Sequence, residues 1–355
     1  MRILIIKRRN TSFNKKNAVS NAFKKFQNSP VLYNNRFFHI VNFGIFSALN
    51  AMIIIWIFSY YLYSRGIEPG SIIHWMLPLS VLFVWAGARI MHLISLGKEF
   101  FKAPFRSLLQ TGFYMQGGVV EAIVWSIIFS SVTGIPLSLV WDGLALGALL
   151  GQVVGRIGCF NYGCCYGKPS ASPWGTAYTN PQSKILRINP ALKGVPVHPA
   201  QLYKAFLNLV MFLLIVLLFP LPFGTISIIF LVYHGLSRMV FEYFRSDLFQ
   251  NLKRQWLSLK FALLSVVAGF LLIIAGPLLD NNFYRVELTT EPMNLFSFYN
   301  FLVANPLMLG IGLSIGFLTF LGYGIHGHNL GTFQFTTRRR HENNDPNCRR
   351  RSLRR

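Results

Sequence analysis

Three cysteines, Cys159, Cys164 and Cys165, fall within seven residues of one another and just after an arginine, Arg156. A second group, Arg238, Glu242 and Arg245, is spaced i, i+4, i+7, which places all three on one face of a helix. Glu242 can neutralise only one of the two arginines. The face therefore keeps positive charge and suits an anion, and the planar guanidinium fork matches phosphate oxygens in particular. His198, in a Val197-His198-Pro199 segment, is a candidate base, with a loop histidine making a structural hydrogen bond as the other reading. The cysteines read as small packing residues. A disulfide, or a zinc site shared with His198, are the alternatives, although C-x4-C-C is not a usual zinc spacing. No metal or organic cofactor is implied.

The elements that must position these groups are membrane spans. Of 355 residues, 53% are hydrophobic and only 13% charged, about half the charged fraction of a soluble domain. Mean hydropathy is +0.43. The formal charge of +23 sits mostly in two tails and in loops beside apolar runs. Attraction to anionic headgroups explains it better than nucleic-acid binding, which is not expected. A spanning helix needs ~20 mostly apolar residues, and eight runs qualify: 41–63, 71–96, 112–133, 137–159, 203–220, 223–243, 256–277 and 298–324. The fold class expected is all-α, a polytopic helix bundle. Its parts are a basic tail over 1–39, a membrane domain over 40–278, a loop and extra span over 279–324, and a basic tail over 325–355. Residues 160–202, rich in Pro and Gly, form an extramembrane cap, since so long a connection is usually functional or folded. The start, MRILIIKRR, has an apolar core of four residues, short of the ~7–15 of a secretory signal.

A charge at the bilayer centre costs ~2.5–3.5 kcal/mol on insertion scales, so each needs a reason. The charges inside spans are Arg89, Glu121, Asp142, Arg156, Arg238 and Glu242. Either the arginines bind a ligand, or they pair with Asp142 and Glu121 to lock helices together. Lys204 and Lys260, near span ends, read as snorkelling residues. Gly143, Gly147, Gly151 and Gly155 recur every four residues and read as a packing stripe.

The run from Gly155 to Pro169, GRIGCFNYGCCYGKP, resembles the signature of the prolipoprotein diacylglyceryl transferase family in its cysteine-rich form. Val197-His198-Pro199-Ala200-Gln201-Leu202-Tyr203, the Arg238-Glu242-Arg245 segment and Gln255-Trp256-Leu257-Ser258-Leu259 resemble further family segments in the same order. Gly87-Ala88-Arg89 and Tyr114-Met115-Gln116-Gly117-Gly118 are weaker matches. The likeness runs from about residue 41 to 277 and implies a seven-helix core with one extra C-terminal span. It implies transfer of a diacylglyceryl group from phosphatidylglycerol to the thiol of a lipobox cysteine in a prolipoprotein signal peptide, releasing glycerol phosphate, in the bacterial plasma membrane. Arg156, Arg238 and His198 would then be catalytic. Arg156, Arg238, Arg245, Gly117, Gly118 and Gly167 would hold lipid and phosphate. Arg89, Gln116, Asp142, Cys159, Cys164, Tyr203 and Glu242 would support them. Two positions depart from the family pattern: Gln116 replaces a histidine, and Lys204 replaces a carboxylate. A transferase for another lipid or acceptor, or a non-catalytic lipid- or peptide-binding protein on the same fold, are the alternatives.

With eight spans, 27 lysines and arginines fall on the side of the cap and both tails, and two, Arg65 and Arg285, on the other. Positive-inside counting puts the cap in the cytoplasm. The family resemblance puts it outside, and that orientation is the expectation adopted.

Overall fold

The computed structural model describes residues 17–35, 37–97, 100–101, 104, 107, 115–245, 252–285, 293–327 and 330. The apolar runs become helices: α2 (Asn42–Ser64), α3 (Ser71–Leu96), α4 (Met115–Thr133), α5 (Leu137–Tyr162), α7 (Ala200–Leu218), α8 (Thr225–Phe244), α9 (Leu252–Leu279) and α11 (Pro306–Gly324). Among the described residues seven are long and apolar enough to cross a membrane. The described part of α4, Gly118–Thr133, is a shorter apolar helix. The chain is a multi-pass, all-α membrane protein.

The expected eighth span, 298–324, is broken. Asn305 leaves the helical region (φ −121°, ψ 69°) and Pro306 begins the next helix, because the residue before a proline is pushed out of the α region and proline has no N–H to give. The first piece is the short helix α10 (Leu295–Ala304), whose Phe298 and Phe301 pack on Tyr60 of α2. The crossing element is α11 alone.

The stripe of small residues on α5 is a packing surface. A Cβ on Gly147 would lie 2.8 Å from the Ile54 carbonyl of α2, and one on Gly158 would lie 2.4 Å from Phe46 Cβ. The two backbones meet where any side chain would keep them apart.

Residues expected to form the first tail carry structure from residue 17 onward. Helix α1 (Asn17–Gln27) leads into strands β1 (Val31–Asn34) and β2 (His39–Val41). β2 pairs with β1 on one side and, on the other, with β5 (Ile325–His326), the segment just after α11. The ends before the first span and after the last therefore lie on one face. The cap lies there too. Asn161 at the end of α5 donates to the Phe26 and Ser29 carbonyls at 2.6 and 3.1 Å, and Arg187 of the cap donates to the Leu330 carbonyl at 2.7 Å.

The cap is a folded unit. Strands β3 (Thr176–Ala177) and β4 (Pro196–Val197) pair, helix α6 (Lys184–Ile188) lies between them in sequence, and Tyr166, Tyr178, Ile185, Leu186 and Val197 make a core of their own. Burial pushes the Tyr178 hydroxyl well above its ordinary pKa, and it donates to the Phe160 carbonyl at 2.8 Å.

Candidate active site

Beneath the cap, α5, α7 and α8 enclose a cavity of about 360 Å³, its open mouth included. Arg156 from α5, Lys204 from α7, Arg238 from α8 and Arg245 just past its end all line it, with Cys165, Gln201 and His234. The helical spacing read in the sequence explains part of this: 238, 242 and 245 do share a face. Glu242 Oε2 stands 3.5 Å from Arg238 Nε and 3.9 Å from Arg245 NH1, so one carboxylate is divided between two guanidiniums. Ser258 from α9 completes the group. Its hydroxyl accepts from Arg238 Nε and NH2, both at 3.0 Å, and donates to Glu242 Oε2 at 3.2 Å. This fixes the guanidinium plane of Arg238 through two of its nitrogens.

Arg156 is different. Among the described residues it has no hydrogen-bond or ion-pair partner, although it is only partly exposed. Four cations thus face the cavity against one carboxylate. Nearby polar atoms are left over as well: Gln201 Oε1, Glu242 Oε1 and His234 Nδ1 are buried without a partner. Arginines locked in structural pairs would leave no such excess. A cavity in low-dielectric surroundings with uncompensated positive charge suits an anion.

Lys204 is corrected here. It does not snorkel. It is buried, its ammonium donates to the Ser237 hydroxyl, and it stands over the Tyr233 ring at 4.5 Å. Behind it Tyr233 donates to Asn208 Oδ1 at 2.7 Å, and Asn208 Nδ2 donates to Gln152 Oε1 at 3.3 Å. The side chain points inward because Lys204 lies on the buried face of α7, which it shares with Gln201, Ala205 and Asn208.

The end of α5 brings the thiols together. Gly163 takes the left-handed conformation (φ 77°) and caps the helix, its N–H reaching the Cys159 and Phe160 carbonyls. Cys164 N–H bonds the Cys159 carbonyl at 3.1 Å, which folds it back over the last turn. Hydrogen bonds from Cys159 and Cys164, aided by Arg245 and Arg156, hold the Cys165 thiol well below its ordinary pKa against the opposing effect of burial. Lys168 N–H then donates to the Phe244 carbonyl at 2.8 Å, tying the cap to the end of α8 beside Arg245.

The chain matches the prolipoprotein diacylglyceryl transferase family over residues 30–275, more than half its length. The chain belongs to the prolipoprotein diacylglyceryl transferase family. A phosphatidylglycerol–prolipoprotein diacylglyceryl transferase of Chlamydia caviae is 32% identical over 181 residues, 47% of this chain and 58% of that protein. One from Dehalococcoides mccartyi is 30% identical over 176 residues, 48% of this chain and 63% of that protein. The likeness to these two therefore spans about three-fifths of their length. One from Clostridium tetani is 24% identical over 243 residues, 68% of this chain and 94% of that protein.

Within this family fold, several residues expected at the site stand elsewhere. Asp142 lies 14 residues before Arg156 on α5, ~21 Å along a helix. It cannot orient the arginines. Its carboxylate accepts from Gly224 N–H and Ser227 N–H, both at 2.7 Å, and from Tyr61 at 3.3 Å. It caps the start of α8, which has no side-chain cap of its own. His198 does not line the cavity. Its Nδ1 is 3.3 Å from the Tyr203 hydroxyl, and its ring lies against Phe244. Gly167 is pressed on His198, where a Cβ would meet the carbonyl oxygen at 2.5 Å, and Gly118 faces Val84 of α3 at 3.3 Å. Both are packing glycines. Arg89 donates to the Ser107 carbonyl at 3.3 Å, away from the cavity. Gln116 and Gly117 fall in the first turn of α4 but outside the residues whose surroundings are described, as does Tyr114. Cys159 and Cys164 border the site through Cys165. His234, Gln201 and Ser258 are the polar members of the site that were not singled out. Ser258 stood in a recognised segment, whereas His234 lay four residues before Arg238 with nothing in its spacing to mark it.

Proposed function

We propose that this chain transfers a diacylglyceryl group from phosphatidylglycerol to the thiol of a prolipoprotein cysteine, the activity its relatives are named for. The observation that supports this most is the unpartnered Arg156 in a cavity with Lys204, Arg238 and Arg245. In the reaction the substrate thiol gives up its proton, which ends on the departing glycerol phosphate, and the sulfur attacks the glyceryl carbon that carries the phosphate. The S–C bond forms, the C–O bond breaks, and glycerol phosphate leaves with the electron pair. Negative charge grows on the phosphate as it leaves. Arg156 and Arg238 supply fixed positive charge where that happens, and donors already in place cost no reorganisation. Glu242 and Ser258 hold Arg238 in register. Lys204 and Arg245 raise the positive field. His198 with Tyr203 positions the cap against the mouth rather than taking the proton. The site of action in this reading is the bacterial plasma membrane, with the cap on the outer face and a lipobox peptide as acceptor.

The test is transfer of label from glycerol-labelled phosphatidylglycerol to a lipobox peptide by the purified chain in detergent, with Arg156→Ala alongside. Labelled peptide that disappears in the variant is the expected result. A folded protein that gives no label would reject the reading and leave a different lipid or acceptor, or a binding role.

A further inference from the structure

The three thiols at the end of α5 are not accounted for by the transfer reaction. Their Sγ atoms all lie within 4.8 Å of one another. All three are free and only partly buried. Two facts argue against simple packing. The thiols converge because two backbone devices bend the chain back in succession: the left-handed Gly163 and then Cys165, itself at φ 56°. A positive φ is uncommon for a residue with a Cβ, and here it is what turns the third thiol to the other two. The cluster also abuts Arg156 and Arg245, which share the cavity wall with Cys165. Neutral packing residues have no use for that charge. A disulfide would account for only two of the three thiols.

We propose that Cys159, Cys164 and Cys165 form a three-thiolate site for a soft, thiophilic divalent cation of the zinc type. Three thiolates around one ion at ~2.3 Å stand ~3.8–4.0 Å apart, so the cluster is close to the spacing required. Thiolate donors select this class of ion over magnesium or calcium. Binding releases the three thiol protons to solvent. Three thiolates and one divalent ion leave a single negative charge, which Arg156 and Arg245 offset. Three protein ligands leave a fourth tetrahedral position, and the cavity wall at Cys165 gives a small ligand access to it. His198 takes no part, because no histidine joins the cluster among the described residues.

The measurement is a titration of the full-length chain, reduced and in detergent, with Cd2+ as an optical stand-in and Zn2+ as competitor. Cys348→Ser serves as background so that the fourth cysteine cannot contribute. One Cd2+ per chain is expected, with an ultraviolet thiolate-to-metal band that Zn2+ bleaches. Cys165→Ser should weaken binding by more than the ~10–100-fold that loss of a mere outer partner costs. The band should vanish when all three cysteines are serine, with the helical circular dichroism unchanged. Absence of a band in a monodisperse, helical protein would overturn the proposal. So would a band that survives the triple substitution, or a Cys165→Ser chain that binds as tightly as the parent. A mass two hydrogen atoms short in unreduced protein would also overturn it, in favour of a disulfide. Binding is read without lipid transfer, so the result is independent of the proposed activity.

Discussion

Helix α5 carries a polar site at each end, and the two are opposites. At its start Asp142 is fully buried, yet its carboxylate accepts two backbone N–H groups and one hydroxyl. Across the same face Asp280 accepts from Ser138 N–H and Oγ, at 2.9 and 2.6 Å, and so caps α5 as Asp142 caps α8. Each acid meets the orphan donors of a helix that has no side-chain cap of its own. At the cap end of α5, four cations share one carboxylate, Arg156 has no partner, and buried acceptors are left over. One end spends its polar groups on the fold. The other holds charge in reserve. Burial and ionisability are common to both ends, so only the count of satisfied partners separates them.

The largest test of that contrast is at the reserved end. Arg156→Ala and Arg238→Ala should each lower transfer by about 10²–10³, the cost of removing one donor to developing charge, and Arg156→Ala, which has no partner to lose, should leave the thermal midpoint in detergent nearly unchanged. A large fall in midpoint for Arg156→Ala would show a structural arginine and break the comparison. Asp142→Asn should do the reverse. It leaves one N–H of α8 facing an amide, at a cost of about 1–3 kcal/mol, read as a lower midpoint with transfer per folded molecule preserved. Lys204→Met removes one of four cations and should slow transfer roughly tenfold, which is ~1.4 kcal/mol of barrier. An unchanged rate would make Lys204 a packing residue. The smallest effect is at Asp280. Burial raises its carboxyl pKa, but the hydrogen bonds from Ser138 and Asn282 outweigh this and leave it below its ordinary value of 3.8. Its contribution is therefore present above pH 3.8 and is lost as pH falls through the lower, folded value. Acid unfolding in detergent should lose a small part of its pH dependence below about pH 4 in Asp280→Asn.

The bundle was legible because lipid leaves a chain few options: every backbone group must be satisfied within a helix, and apolar length announces it. The Arg238, Glu242, Arg245 face was legible for a similarly local reason, helical spacing. What escaped was set by neighbours far along the chain. Lys204 looked like a rim residue because distance from a span end says nothing about which way the side chain turns. Asp142 looked like a partner for arginine because it is an acid inside a span, and only the fold shows which end of α8 it meets. The break at Pro306 was a local signal that the continuous apolar run hid. Strand β2 escaped because one of its two partners, β5, lies some three hundred residues later.

That pairing sets an order of events for biosynthesis. Strand β2 stands before the first crossing and β5 after the last, and between them α11 lays Gly312 on Trp56 and Gly324 on Gly44 of α2. Of the spans described, α2 is made first and is therefore also among the last to be fully covered. Until α11 is made, α2 keeps an open face in the bilayer and β2 an unpaired edge outside it. Emergence of α11 and β5 is the step that covers both.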